Sequence, residues 1–73
     1  MKTVIANIIR PAQRQRRLVE EKVAQISLSI QSLGLLQPIV LTKDNVLVAG
    51  LHRLEACIRL GWKEIDCIIK DYN

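Results

Sequence analysis

The spacing of apolar residues changes along the chain, and each change marks an element. Residues 2–9, KTVIANII, read as a strand with Val4, Ala6 and Ile8 on one face and Ile5 on the other. Arg10 and Pro11 end it, because proline has no N–H for a sheet ladder. The polar, aperiodic stretch 11–17 is a loop. Over residues 18–33 the period turns helical. Val19, Val23, Ile26, Ile30 and Leu33 are separated by four, three, four and three positions, which at about 100° per residue forms one stripe. Glu20 and Glu21 suit the positive end of that helix, Gly34 suits a left-handed cap, and Leu28 lies opposite the stripe. Residues 38–42, PIVLT, and 46–49, VLVA, are short strands joined through Lys43, Asp44 and Asn45 as a hairpin. Gly50 breaks the run. Residues 51–60 resume the helical period with Leu54, Cys57 and Ile58 on one face and Ala56 adding propensity. Gly61 ends this helix, Trp62 packs over its end, and residues 65–70 form a last strand.

This order predicts an α+β fold in which two helices cover one face of a small mixed sheet. The length, 73 residues, allows one domain over 1–73 with one core, and no linker or repeat divides it. Hydrophobic residues make up 49% of the chain, which excludes a disordered segment. No apolar run approaches the ~18 residues of a membrane span. The N-terminal apolar segment stops at Arg10, too short for a signal peptide, so the expected location is the cytoplasm, with no membrane partner. The two cysteines, Cys57 and Cys67, match no metal or redox spacing and read as buried thiols. No metal-ligand set is visible. A net charge of +4 favours phosphate-bearing partners only modestly. Its distribution says more, because Arg10, Arg14, Arg16 and Arg17 fall together after the first strand.

Two turns carry candidate chemistry. In Ala49, Gly50, Leu51, His52 and Arg53 a strand runs directly into a helix, whose first N–H groups point outward with partial positive charge. Gly50 gives a close backbone approach, Arg53 a planar fork for phosphate oxygens, and His52 a further donor. From these residues alone, a phosphate cradle and a plain strand-to-helix turn are equally good readings. In Gly34, Leu35, Leu36, Gln37 and Pro38 the Gln37 amide both donates and accepts, as a reader of a planar base would, although a connecting turn explains the same residues.

Taken together and in order, SIQSLGLLQPIVL over residues 29–41, VLVAGLHRLEACIRLGW over 46–62 and RPAQRQRR after the first strand resemble the ParB N-terminal domain. Its superfamily includes sulfiredoxin. The resemblance covers essentially the whole chain. It implies a nucleoside triphosphate such as CTP, with magnesium, whose base faces Gly34, Gln37 and Pro38 and whose phosphates lie on Gly50, His52 and Arg53. It also matches Arg14 or Arg16 to the arginine that follows the family's first strand. The partition proteins usually have Glu-Arg-Arg after the glycine, whereas this chain has Leu51, His52 and Arg53. The missing acidic residue weighs against metal binding and CTP hydrolysis. Sulfiredoxin has Cys-His-Arg there, so Leu51 removes its nucleophile, and Cys57 on the apolar helix face does not replace it.

The expected function is a nucleotide-binding module in DNA partition or gene regulation. A nuclease or phosphotransferase on the same fold, or a protein-interaction domain using Leu28 and the arginine loop, are the alternatives. No catalytic set supports the enzyme. Glu55 is placed to pair with Arg59 one turn on, and Glu20 and Glu21 are the other acids near a helix start. Edge strands and Leu28 point to a weak homodimer. The helix-turn-helix domain that follows in the partition proteins is not in the sequence. DNA contact is therefore expected to be weak and non-specific, through Arg14, Arg16 and Arg17. Three such phosphate contacts give a slope of log affinity against log salt of about −2.7, and replacing the three by Ala should remove most of it. Tight, salt-insensitive binding of the purified chain to one sequence would contradict this.

Overall fold

The computed structural model describes residues 1–11, 18–34 and 37–71. It contains strands β1 (Lys2–Val4), β2 (Ile39–Leu41), β3 (Leu47–Ala49) and β4 (Glu64–Ile69) and helices α1 (Glu20–Leu33) and α2 (Leu51–Arg59). The sheet is mixed, in the order β1-β4-β2-β3. β4 runs antiparallel to β1 and parallel to β2, and β2 is antiparallel to β3. The expected α+β architecture is therefore present, with the first three predicted strands trimmed and the last shifted by one residue, from 65–70 to Glu64–Ile69.

The predicted strand over 2–9 is instead two pieces. After β1 the chain makes a 3-10 turn, Ile5–Asn7, and then Ile9 bridges Val46 in parallel. The Ile9 N–H donates to the Asn45 carbonyl at 2.8 Å and the Ile9 carbonyl accepts from the Leu47 N–H at 2.9 Å. One short segment thus lies at both edges of the sheet, and the edge at β3 is partly covered. The reason is in the side chains. Ile5 and Ile8 both pack against the core, which a straight strand, having them on opposite faces, would not allow.

Ile39, Leu41, Leu47, Ile65 and Cys67 from the sheet, Leu54, Ala56 and Cys57 from α2, and Val23 and Ile30 from α1 form one buried cluster. Both thiols are free and buried, as expected. α2 is buried over a wide arc because it has β2 on one side and α1 on the other. This explains the burial of Ala56, which its helix propensity alone does not. α1 leans mainly on α2. Its 14 residues rise about 21 Å against about 13 Å for the nine of α2, so α2 covers only part of its length. The stripe members Val19 and Leu33 are accordingly exposed, and Leu28 is exposed as expected. Among the described residues no helix is long and apolar enough to cross a membrane.

The helix ends follow their sequence signals with one difference. The Gly61 N–H donates to the Ile58 carbonyl and the Trp62 N–H to the Cys57 carbonyl, both at 3.0 Å, which is a Schellman closure of α2. Gly34 has φ +81° but ψ −178°, so it turns the chain in extended form and is not the left-handed cap expected.

Ion pairs fasten the two helices. Both Arg59 terminal nitrogens donate to the Glu20 carboxylate at 2.9 Å, and Arg59 Nε reaches Glu55 at 3.4 Å, the predicted pair one turn apart. The hydrogen bonds from Arg59 hold the Glu20 carboxyl below its ordinary value. A depressed carboxylate stabilises the fold fully above the ordinary carboxylate range and loses that contribution as pH falls through the lowered value. Glu20→Gln should therefore lower the melting temperature slightly at neutral pH, with the gap to wild type closing on acidification and in high salt. A gap that persists below the carboxylate range would contradict the ion pair as its cause.

Gly50 has φ +100°, and a Cβ there would stand 2.7 Å from Ile39 Cγ2 and 3.2 Å from Ile39 Cα. Ile39 is fully buried and cannot yield. Gly50→Ala should cost roughly 2–5 kcal/mol, combining about 1–2 for the left-handed backbone with ~1–3 for overpacking. Gly61→Ala, with open space at its Cβ position, should cost only the backbone share. Equal losses for the two variants in urea denaturation would contradict this.

Candidate functional site

The hairpin brings the two candidate turns together. β2 and β3 are antiparallel, and Val40 pairs with Ala49. The start of β2, with Gln37 and Pro38 before it, therefore lies beside the end of β3, with Gly50 and α2 after it. Gly50 is the N-cap of α2, no side chain caps that end, and the first intrahelical bond runs from the Leu54 N–H to the Gly50 carbonyl at 2.8 Å. The N–H groups of Leu51, His52 and Arg53 precede that bond and have no acceptor within the helix. The primary reason for glycine at position 50 is the close approach of Ile39. The ligand approach expected from the sequence would use the same missing side chain.

Arg53 reaches back across this junction. Its Nη1 donates to Gln37 Oε1, joining two turns 16 residues apart. Its Nε is buried and has no hydrogen-bond partner among the described residues. No carboxylate among them forms an ion pair with Arg53 either, whereas Arg10 and Arg59 both have one. Arg53 thus combines a guanidinium at the positive end of a helix, a buried N–H with no partner among the described residues and no acid paired with it, which are the features of a candidate anion site.

His52 reaches the start of α1. Its Nε2 accepts the Val19 N–H at 3.1 Å. Because the donor is a backbone N–H, this nitrogen is unprotonated and the donor predicted for His52 is its Nδ1. Val19 is the N-cap of α1, so a side chain of α2 satisfies the start of the other helix. At the far end of the arginine segment, Arg10 Nη1 donates to Glu55 Oε1 at 3.4 Å. The segment is thus fastened to α2 before and after, at Arg10 and at Val19. Arg14, Arg16 and Arg17 themselves lie outside the described residues. The roles of Arg10 and of the Val19 N–H were not foreseen. A charge pair 45 positions apart and a backbone donor leave no local sequence signal.

The donor set limits the chemistry. The only carboxylate on α2 is Glu55, which is engaged by Arg10 and Arg59. Among the described residues no group of three or more His, Cys, Asp or Glu is arranged to hold a metal ion. The residues present do not fit a magnesium ion held by side chains. Burial pushes the Cys57 thiol up, which makes it a poor nucleophile. A groove of about 360 Å³ lined by Lys2, Trp62, Lys63, Glu64, Ile65 and Asp66 shares no residue with the α2 junction, and its charges are of both signs.

Known proteins are similar to this chain in sequence and in fold. The chain is 44% identical over 75 residues to a nucleoid occlusion protein of Geobacillus thermodenitrificans, covering 94% of this chain and 26% of that protein. It thus spans about a quarter of the length of the curated relatives it matches. Its structure superposes on sulfiredoxin from Arabidopsis thaliana with a TM-score of 0.87 at 31% identity, over 99% of this chain and 84% of that one. It superposes on a C-terminally truncated chromosome-partitioning protein ParB from Caulobacter crescentus, complexed with CTP-gamma-S, with a TM-score of 0.84 at 29% identity, over all of this chain and 44% of that one. Residues 1–73 match the family model described as ParB N-terminal domain, and the chain belongs to that family.

Proposed function

We propose that this chain is the nucleotide-binding module of a ParB-like protein of DNA partition or gene regulation. It holds a nucleoside triphosphate such as CTP with the phosphates over the first turn of α2. The observation that carries the reading is Arg53, whose buried Nε–H has no acceptor among the described residues and whose charge no acid offsets. The CTP-gamma-S complex of the similar ParB supports the ligand class. The phosphates sit on the N–H groups of residues 51–53, on the Arg53 fork and on His52 Nδ1, with Gly50 keeping the helix start open. The base lies toward Gly34, Gln37 and Pro38. Because Val40 pairs with Ala49, the two turns are close enough for one ligand to touch both.

Hydrolysis would need a base from outside α2. Glu55 is engaged in two ion pairs, so no free general base stands on α2. Reduction of the sulfiredoxin type is absent, because Leu51 opens the helix and both cysteines are buried. DNA contact by this chain is confined to phosphates and to Arg14, Arg16 and Arg17. Self-association is weak.

Calorimetric titration with CTP tests the reading. Arg53→Ala should weaken binding by about tenfold to a hundredfold, corresponding to the ~1.5–3 kcal/mol of a hydrogen bond to a charged group. Unchanged affinity in a folded variant would overturn it.

A further inference from the structure

We infer that Gln37 is a positioning residue, which fixes the Arg53 guanidinium for an incoming phosphate and does not read the base. The inference rests on the nucleotide reading above and names a role within that site. The Gln37 amide oxygen accepts from Arg53 Nη1. A side-chain amide reads a planar base edge by accepting with its oxygen while donating with its nitrogen. The bond to Arg53 takes one of that oxygen's two lone-pair positions and fixes the direction of the amide, so the amide is set by the arginine and not by a base edge.

The same bond orients the arginine. A guanidinium is flat, and its five N–H groups have fixed directions, so one acceptor at Nη1 sets the plane of the rest. Nη1 lies on the same side as Cδ. The edge left over carries Nε–H and the Nη2 N–H groups, which run parallel and match two oxygens of one phosphate. The buried Nε belongs to this edge and has no partner among the described residues.

The acceptor is also neutral, and this matters. A carboxylate at position 37 would hold Nη1 equally well but would offset the charge that the phosphate needs. An amide orients the arginine and leaves its full charge available. Pro38 and the pairing of Val40 with Ala49 keep position 37 in reach, and Gly50 lets α2 start close enough for Arg53 to span the junction.

The test is calorimetry with CTP, ATP and inorganic triphosphate on five forms of the chain: wild type, Gln37→Leu, Gln37→Glu, Arg53→Ala and the Gln37→Leu/Arg53→Ala double variant. Gln37 is exposed, so the single variants should fold, and circular dichroism checks that they do. Gln37→Leu should weaken CTP and base-free triphosphate by the same factor, about five- to tenfold, with the ratio of CTP to ATP affinity unchanged. Gln37→Glu should weaken all three at least as much, although it keeps an oxygen acceptor. The double variant should bind no more weakly than Arg53→Ala alone. If Gln37→Leu changes the CTP to ATP ratio and leaves inorganic triphosphate unaffected, Gln37 reads the base, and the positioning role is wrong while the nucleotide site stands. If wild type binds none of the three, the nucleotide reading fails and this inference fails with it.

Discussion

The contact between Ile39 and Gly50 is the constraint on which the rest depends. Ile39 is fully buried at the start of β2, and its Cγ2 occupies the space that a side chain at position 50 would need. Only a glycine both tolerates that approach and adopts the positive φ that turns the end of β3 into α2. Because β2 and β3 pair antiparallel, this contact also places the chain before β2 against the first turn of α2. A core packing requirement thereby brings the two turns of the candidate site together.

The electrostatics follow from the assembly. The described arginines fall into two groups. Arg10 and Arg59 are paired with Glu55 and Glu20 and fasten the chain around α2. Arg53 stands at the opposite end of that helix with only a neutral amide as partner. Exposed ion pairs contribute little stability each, but here they set which charges are already offset and which is not. His52 adds to the division of labour. Its Nε2 completes the start of α1, which links the helix under the candidate site to the segment that carries the remaining arginines.

Much of this was legible in the sequence, and the reasons differ by element. α1 and α2 were readable because a 3.6-residue period survives in Val23, Ile26 and Ile30 and again in Leu54, Cys57 and Ile58. The hairpin was readable from its turn residues, and Thr42 Oγ1 indeed accepts from the Asp44 and Val46 N–H groups at 3.2 Å. The break in the first strand was not, because KTVIANII alternates locally while the need to bury both Ile5 and Ile8 is set by the whole fold. Both turns of the candidate site were visible as separate motifs. Their meeting through Gln37 and Arg53 was not, since it depends on strand pairing and on a side-chain contact across 16 residues. The offset of Arg10 by Glu55 was hidden for the same reason.

The central claim is that a phosphate is the missing partner of Arg53. The most direct measurement is a titration of the isotopically labelled chain with CTP, followed by ¹H–¹⁵N NMR with the arginine Nε–H signals resolved. The account predicts that the Arg53 Nε–H signal moves downfield, as an N–H does on gaining a charged acceptor, together with the amides of residues 51–53. The amides of β1 should stay in place. Shifts confined to Lys2 and residues 62–66, with Arg53 and the first turn of α2 unmoved, would place the ligand elsewhere and contradict the account.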